Sequence, residues 1–400
     1  MKKAIRFFLL LTGYAIYTAL TPGAIYADPV KVGVLLPITG KLDSFGEIEL
    51  RSFAMAADEI NAAGGINGNE IDLIISDTAG KTETGLSAIE KLLLEDKVLI
   101  VAGGCSSSVA WAVAAVAQEH KVPFLINTAS ADKITEQGWE YIFRLNSPVS
   151  EYPKALISFL TQVARPKSAT VLYEKTAFGQ YGLKKFLELR KRSGLKVMSK
   201  QGYEPGEVDF RPVLVKTLAR KPDLVYMISS SILDPPSLLH QAKELGLNPK
   251  IFVGFGAGFT LQEFSEYAGD TSEYVMSVVP WTPSLPYPGA AEYYKNFVAK
   301  YNSPAEYQGA QAYAAMYVIA DALNRAESLT PSDVRDALEQ TDTITAFGPV
   351  KFISYGKKTQ QNSLPTPLVQ WIKGRIEIVW PKELATARYV YPVPKWSKRQ

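Results

Sequence analysis

The feature that most constrains the fold is an alternation of short apolar runs with amphipathic helical patterns, which occurs twice. Val32 to Leu36 is followed by an amphipathic stretch from Glu47 to Ala62, and Ile71 to Ser76 by Thr84 to Leu94. Val98 to Ala102 is followed by Ser107 to Gln118, and Val122 to Ile126 closes the set. The runs have little internal alternation, as parallel strands buried on both faces do. Such an order argues for a parallel sheet with helices on both sides. The pattern returns at Ala169 to Tyr173, Leu195 to Ser199, Leu224 to Ile228 and Ile251 to Val253. Helical segments at Tyr181 to Lys191, Arg211 to Ala219 and Leu238 to Leu245 lie between them. Gly194 and Gly246 stand just past two of these helices, where a left-handed residue ends a helix well. The expected fold class is α/β, with two doubly wound parallel-sheet lobes. The first crossing between them is expected near Ser147-Pro148.

The remainder departs from this pattern. Pro280 to Pro288 holds four prolines and is expected to be an extended loop. Ala291 to Tyr301 and Ala310 to Ala326 look helical, and Pro331 to Gln340 opens with proline in a favoured first-turn place. Leu368 to Trp380 reads as two strands joined by Lys373-Gly374. Two lobes without a low-complexity linker suggest that the chain crosses between them more than once.

The first residues bear on compartment. Lys2, Lys3 and Arg6 precede an almost uncharged run from Phe7 to Leu20, and the segment ends in Ala24-Ile25-Tyr26-Ala27. This is the order of a secretory signal peptide over residues 1–27, with cleavage expected after Ala27. The run would rise about 21 Å as a helix, short of a hydrocarbon core of roughly 30 Å. The whole chain carries a formal charge of +3, which equals the three basic residues of the leader. The remainder is formally neutral and offers no long-range field for nucleic acid or anionic lipid. Cys105 is the only cysteine, so an intrachain disulfide is excluded, and no cysteine follows the leader to carry a lipid. The expectation is a monomer in the periplasm.

Catalytic constellations are scarce. His120 and His240 have no metal-ligand partner at i+3 or i+4, and one cysteine excludes a thiolate zinc site. No nucleophile elbow, P-loop or H-E-x-x-H occurs. Gly254-Phe255-Gly256-Ala257-Gly258 reads better as a strand-end turn than as a phosphate loop. No enzyme activity, cofactor or metal is expected.

Strand ends carry the signal, because an open α/β sheet binds ligands beyond the carboxyl ends of its strands. Val98 to Ala102 ends in Gly103-Gly104-Cys105-Ser106-Ser107-Ser108 before a helix. Free N–H groups at a helix start, with serine hydroxyls beside them, suit a carboxylate. Simple N-capping needs only one serine. The next strand ends in Asn127-Thr128-Ala129-Ser130-Ala131-Asp132, a second small, hydroxyl-rich turn at the same edge. The loop from Thr39 to Gly46 brings Asp43, Ser44 and Phe45 there too.

These segments resemble the leucine/isoleucine/valine-binding family, the type I periplasmic solute-binding proteins of ABC transporters. Val32-Gly33-Val34-Leu35-Leu36-Pro37-Ile38-Thr39-Gly40 is similar to the family's opening strand and loop. Asp58-Glu59-Ile60-Asn61-Ala62-Ala63-Gly64-Gly65-Ile66-Asn67-Gly68 is similar to its most specific signature. Gln370-Trp371-Ile372-Lys373-Gly374 and Val379-Trp380-Pro381 fit one branch. The resemblance implies two lobes joined by a three-crossing hinge that closes on the ligand. Lobe 1 would comprise residues 28–148 plus about 281–348, and lobe 2 residues 149–280 plus about 349–400. It implies an ABC importer substrate-binding protein that delivers a small carboxylate, such as a branched-chain or other amino acid, to a membrane permease.

By the same resemblance, Ser106 is the carboxylate-binding serine, with Ser107 and Ser108 beside it. Ser130 is the second hydroxyl and N–H donor, next to Ala129, and Thr128 offers its carbonyl to a ligand ammonium. Phe45 and Phe178 are the aromatic positions. A glutamate and a tyrosine of the best-known members fall on Gly256 and Ser230, so an ammonium would need another partner, such as Asp43 or Glu174. An aromatic or other non-amino carboxylic acid, an amide, or a sensor role on the same fold stays open.

Overall fold

The computed structural model describes residues 28–399. The expected leader and its cleavage point lie outside the described residues.

Strand β1 (Val30–Leu36) buries every residue except Lys31 and therefore sits inside a sheet. It pairs in parallel with β2 (Ile71–Asp77) on one side and β3 (Ile100–Gly103) on the other. β4 (Phe124–Ile126) and β5 (Ile142–Arg144) extend the sheet in parallel. Helices α1 (Asp43–Ala62), α2 (Thr82–Leu94) and α3 (Ser107–Glu119) make the connections. The turn after α1 is fixed locally. The Asn61 side chain accepts from Ile71 N–H at 2.7 Å and donates to Ile71 O at 3.0 Å, docking the helix end on β2.

The second lobe repeats this plan. β6 (Ser168–Glu174) lies between β7 (Lys196–Tyr203) and β8 (Leu224–Ile228), and β9 (Ile251–Phe255) and β10 (Met276–Val278) follow, all parallel. Its helices are α4 (Pro153–Phe159), α5 (Ala177–Leu189), α6 (Arg211–Leu218), α7 (Asp234–Glu244) and α8 (Gln262–Ala268). The chain then returns to lobe 1 with α9 (Ala290–Tyr301), α10 (Tyr307–Arg325) and α11 (Pro331–Glu339). α10 packs closely along α1, where Gly309 leaves room for Ser52 and Tyr293, whose hydroxyls lie 2.8 Å apart.

The expected boundary at residue 349 moves. After the hairpin β11 (Asp342–Thr345) and β12 (Gly348–Lys351), strands β13 (Ile353–Tyr355) and β14 (Lys358–Gln361) join the lobe 1 sheet beside β5. A buried side chain holds them there. Gln361 accepts from Arg144 Nε at 2.6 Å and donates to Asn146 O at 2.7 Å. The chain reaches lobe 2 only between Gln361 and β15 (Leu368–Ile372), which pairs antiparallel with β10 and with β16 (Arg375–Trp380). Among the described residues each lobe's main sheet thus has seven strands, in the orders β13-β14-β5-β4-β3-β1-β2 and β16-β15-β10-β9-β8-β6-β7, with β11 and β12 paired apart from both.

Three crossings run side by side. Ser147 Oγ donates to Leu364 O at 3.0 Å and accepts from Leu364 N–H at 2.8 Å. Val279 N–H donates to Pro367 O at 3.2 Å. Several helices begin earlier than expected: α1 at Asp43, α5 at Ala177 and α7 at Asp234. α1 opens with Asp43-Ser44 and α7 with Asp234-Pro235-Pro236, which carry no apolar period but suit a helix start, and α5 is capped by Thr176, whose hydroxyl accepts from Gly179 N–H. Asp43, Ser44 and Phe45 are consequently helical rather than loop residues.

Candidate ligand-binding cleft

The carboxyl ends of both sheets border a cleft of about 540 Å³ between the lobes, within the usual range for small-molecule sites. On the lobe 1 side β3 ends in Gly103, at φ +112, where a Cβ would lie 2.3 Å from Leu35 O. Only glycine permits that turn. It delivers Cys105, Ser106, Ser107 and Ser108 to the cleft at the start of α3. Ser106 holds the N-cap position, yet its hydroxyl makes no capping bond. Ser107 Oγ accepts from Ala131 N–H at 3.3 Å. The first turn of α3 therefore keeps N–H groups with no side-chain cap beside three cleft-lining serines, an arrangement suited to an anion.

The turn after β4 brings Thr128 and Ser130 to the cleft. Ala129, expected in the site, is buried outside it. Its N–H donates to Gly104 O at 2.8 Å and locks the two turns together. The Thr128 carbonyl already accepts from Asn146 Nδ2 at 2.5 Å, and Asn146 also bonds the Tyr152 hydroxyl. Val149 N–H donates to Ser130 O at 2.7 Å. The first crossing is thus hydrogen-bonded to the binding turn itself.

Beneath these turns lies a group that sequence reading missed. Glu49, on α1, is fully buried and accepts from Asn127 Nδ2 at 2.8 Å, and it also bonds Thr128 and Cys105. Burial pushes its carboxyl up to about 7, against the opposing pull of those hydrogen bonds. Burial and Glu49 together push the Cys105 thiol up. A glutamate in an amphipathic helix ordinarily reads as solvated, so only its place on the apolar face hinted at this.

Lobe 2 supplies aromatic walls. Phe178 stacks on Phe255, with centroids 5.6 Å apart and planes at 5°, and Tyr152 meets Phe255 edge-on at 6.3 Å. Phe45 lines the lobe 1 side. Ser230 and Gly256 also line the cleft. Gly256 has φ +120, and a Cβ there would lie 2.0 Å from Ser229 O, so the backbone itself forbids a glutamate. Of the two stand-in acids, Glu174 borders the cleft and Asp43 does not. Glu174 is fully buried and accepts from Ser230 N–H at 2.7 Å, the Ser230 hydroxyl at 2.9 Å and the Thr176 hydroxyl at 2.6 Å. The Asp43 carboxylate instead accepts from Ser44 N–H at 2.7 Å.

Contacts between the lobes flank the cleft. Asp132, paired with Lys358 at 2.9 Å, bonds Tyr181 of α5. On another side Glu306, before α10, accepts from Gln262 N–H of α8 at 3.3 Å. The pocket thus joins an anion-binding edge, aromatic walls and cross-lobe bonds, with neither histidine lining it.

A periplasmic binding protein family model matches residues 29–375. The chain belongs to the periplasmic binding protein family. Leu/Ile/Val-binding protein homolog 8 of Brucella suis biovar 1 (strain 1330) is 27% identical over 402 residues, covering 95% of this chain and 98% of the relative. The branched-chain amino acid transporter substrate binding protein from Streptococcus pneumoniae, in complex with isoleucine, superposes with a TM-score of 0.79 at 22% identity. That match covers 88% of this chain and all of the other. An ABC transporter solute binding protein from R. palustris, in complex with benzoate, has a TM-score of 0.75 at 20% identity over 88% of this chain and 95% of its own. Both likenesses establish the fold of this family member. Among the described residues, no helix is long and apolar enough to cross a membrane.

Proposed function

We propose that this binding protein works in the periplasm as the substrate-binding component of an ABC importer and captures a small carboxylate, with an amino acid as the first reading. The observation that carries the proposal is the α3 start, where Ser106 occupies the N-cap position without spending its hydroxyl on the helix. The names of the relatives, which bind or are called after branched-chain amino acids, support the amino-acid reading. Binding draws the lobes together about the three crossings, and the closed form is what a permease recognises. A ligand shifts this equilibrium by its preference for the closed state. No reaction is assigned to the cleft.

A second reading, an aromatic carboxylic acid, draws on two observations: Gly256 excludes an acidic side chain, and Phe178 and Phe255 make a flat wall. Native mass spectrometry of undialysed protein identifies the resident molecule. Calorimetry then tests the anion site. A charge-assisted hydrogen bond contributes about 1.5–3 kcal/mol, so Ser106→Ala is expected to weaken binding by about ten- to a hundredfold. Undiminished affinity in that variant would refute the site.

A further inference from the structure

Helix α10 begins in the cleft wall. Its first two residues, Tyr307 and Gln308, both line the lobe 1 side. Gln308 is 2% exposed, and among the described residues nothing hydrogen-bonds to its Oε1. Buried amides are nearly always paired. The same helix shows what lies behind: both ends of the Gln311 amide are buried without a protein partner, as are Glu49 Oε1 and Asn127 Oδ1. Of these groups only Gln308 reaches the cleft. A leucine or methionine of similar size would fill the position with nothing left unpaired, which makes a buried glutamine there a poor choice for packing alone.

The aromatic walls are suited to the apolar body of a ligand and the α3 start to its carboxylate. Neither accounts for a buried, unpaired amide oxygen at a third point of the wall. We infer that Gln308, with the Tyr307 hydroxyl beside it, is a specificity-determining residue that hydrogen-bonds a second, uncharged polar group of the ligand. The cleft then selects carboxylates carrying such a group over those with a purely apolar body. The amide supplies a donor and an acceptor and no charge, so an amide or hydroxyl on the ligand matches it. This inference rests on the carboxylate reading above and narrows its substrate class.

Two near-isosteric pairs test it by calorimetry: asparagine against leucine, and 4-hydroxybenzoate against 4-methylbenzoate. Within each pair only the hydrogen-bonding end differs. The wild-type protein is expected to prefer the polar member by at least about tenfold in whichever pair binds, because a site built to pair a polar group rejects the analogue lacking it. Gln308→Leu should abolish or reverse the preference, and Tyr307→Phe should reduce it. Ser106→Ala should weaken both members equally and leave their ratio unchanged. Thermal unfolding checks that each variant is folded, and Gln308→Met serves if Gln308→Leu is not. Equal affinities within a binding pair, or a preference that persists in a folded Gln308 variant, would overturn the inference while the carboxylate reading stands. Binding of neither pair would overturn both.

Discussion

Glu49 ties together the turns at Cys105 and Thr128 from below, at the cost of a carboxyl held wholly inside the protein. In the unfolded chain it ionises near 4.5, whereas the folded protein keeps its proton up to about 7. Between those values the folded state binds more protons, so stability falls as pH rises. The window corresponds to roughly 3 kcal/mol, since a tenfold difference in proton affinity between the folded and unfolded states is worth about 1.4 kcal/mol. Glu49→Gln should remove this dependence and raise the melting temperature at pH 8 relative to wild type. Thermal scans at pH 5 and pH 8 decide the matter, and parallel behaviour of the two proteins would speak against the assignment. Gly256 is constrained by geometry instead of charge. Gly256→Ala forces a Cβ against Ser229 O at φ +120 and should destabilise the fold by at least about 1–3 kcal/mol. An unchanged melting temperature would mean that the backbone relaxes there.

The informative element is the crossing from Asn146 to Tyr152. Asn146 links the Thr128 carbonyl to the Tyr152 hydroxyl, and Val149 and Ser150 bond Ser130 and Asp132. A segment that must bend on closure is therefore tied to the turn that meets the ligand. Removing that link should loosen the turn while leaving both cores intact. Asn146→Ala is expected to raise Kd by about tenfold, equivalent to about 1.4 kcal/mol, with unchanged circular dichroism. Wild-type affinity in a folded variant would separate the crossing from the site.

The whole molecule is two similar lobes bridged across the cleft by acidic groups of lobe 1 that accept hydrogen bonds from lobe 2. Glu306 of lobe 1 bonds the Gln262 N–H of lobe 2. Burial, with Glu263 nearby, pushes its carboxyl up to about 8. Opening the lobes returns Glu306 to water and to its ordinary range. Closing should then take up a proton between about 4.5 and 8, so ligand affinity declines as pH rises through that interval. One linked proton limits the slope to about tenfold per pH unit. Titrations from pH 5 to 9 should show this slope in wild type and a flatter profile in Glu306→Gln. A slope retained by the variant would place the proton elsewhere. Saturating ligand should also reduce the radius of gyration in solution scattering, and a constant radius with binding confirmed would contradict closure.

What the sequence determined by itself is local or periodic. Apolar runs of strand length, helical spacing and small-residue strand ends specified two α/β lobes and put Ser106, Thr128 and Ser130 at one edge, because burial on both faces and tight turns leave marks within a few residues. The leader motif belongs to the same class of signal. Only the tertiary structure decided where β13 and β14 belong: β13 is three residues long, β14 is wholly polar, and their place depends on Gln361 meeting Arg144 and Asn146, far away in sequence. It alone removed Ala129 and Asp43 from the cleft, kept Glu174 of the two stand-in acids, brought in Gln308 and placed Glu49 beneath the binding turns. A buried polar side chain is specified by partners on other strands and helices, and single-sequence patterns record the burial of apolar groups far more faithfully than the pairing of polar ones.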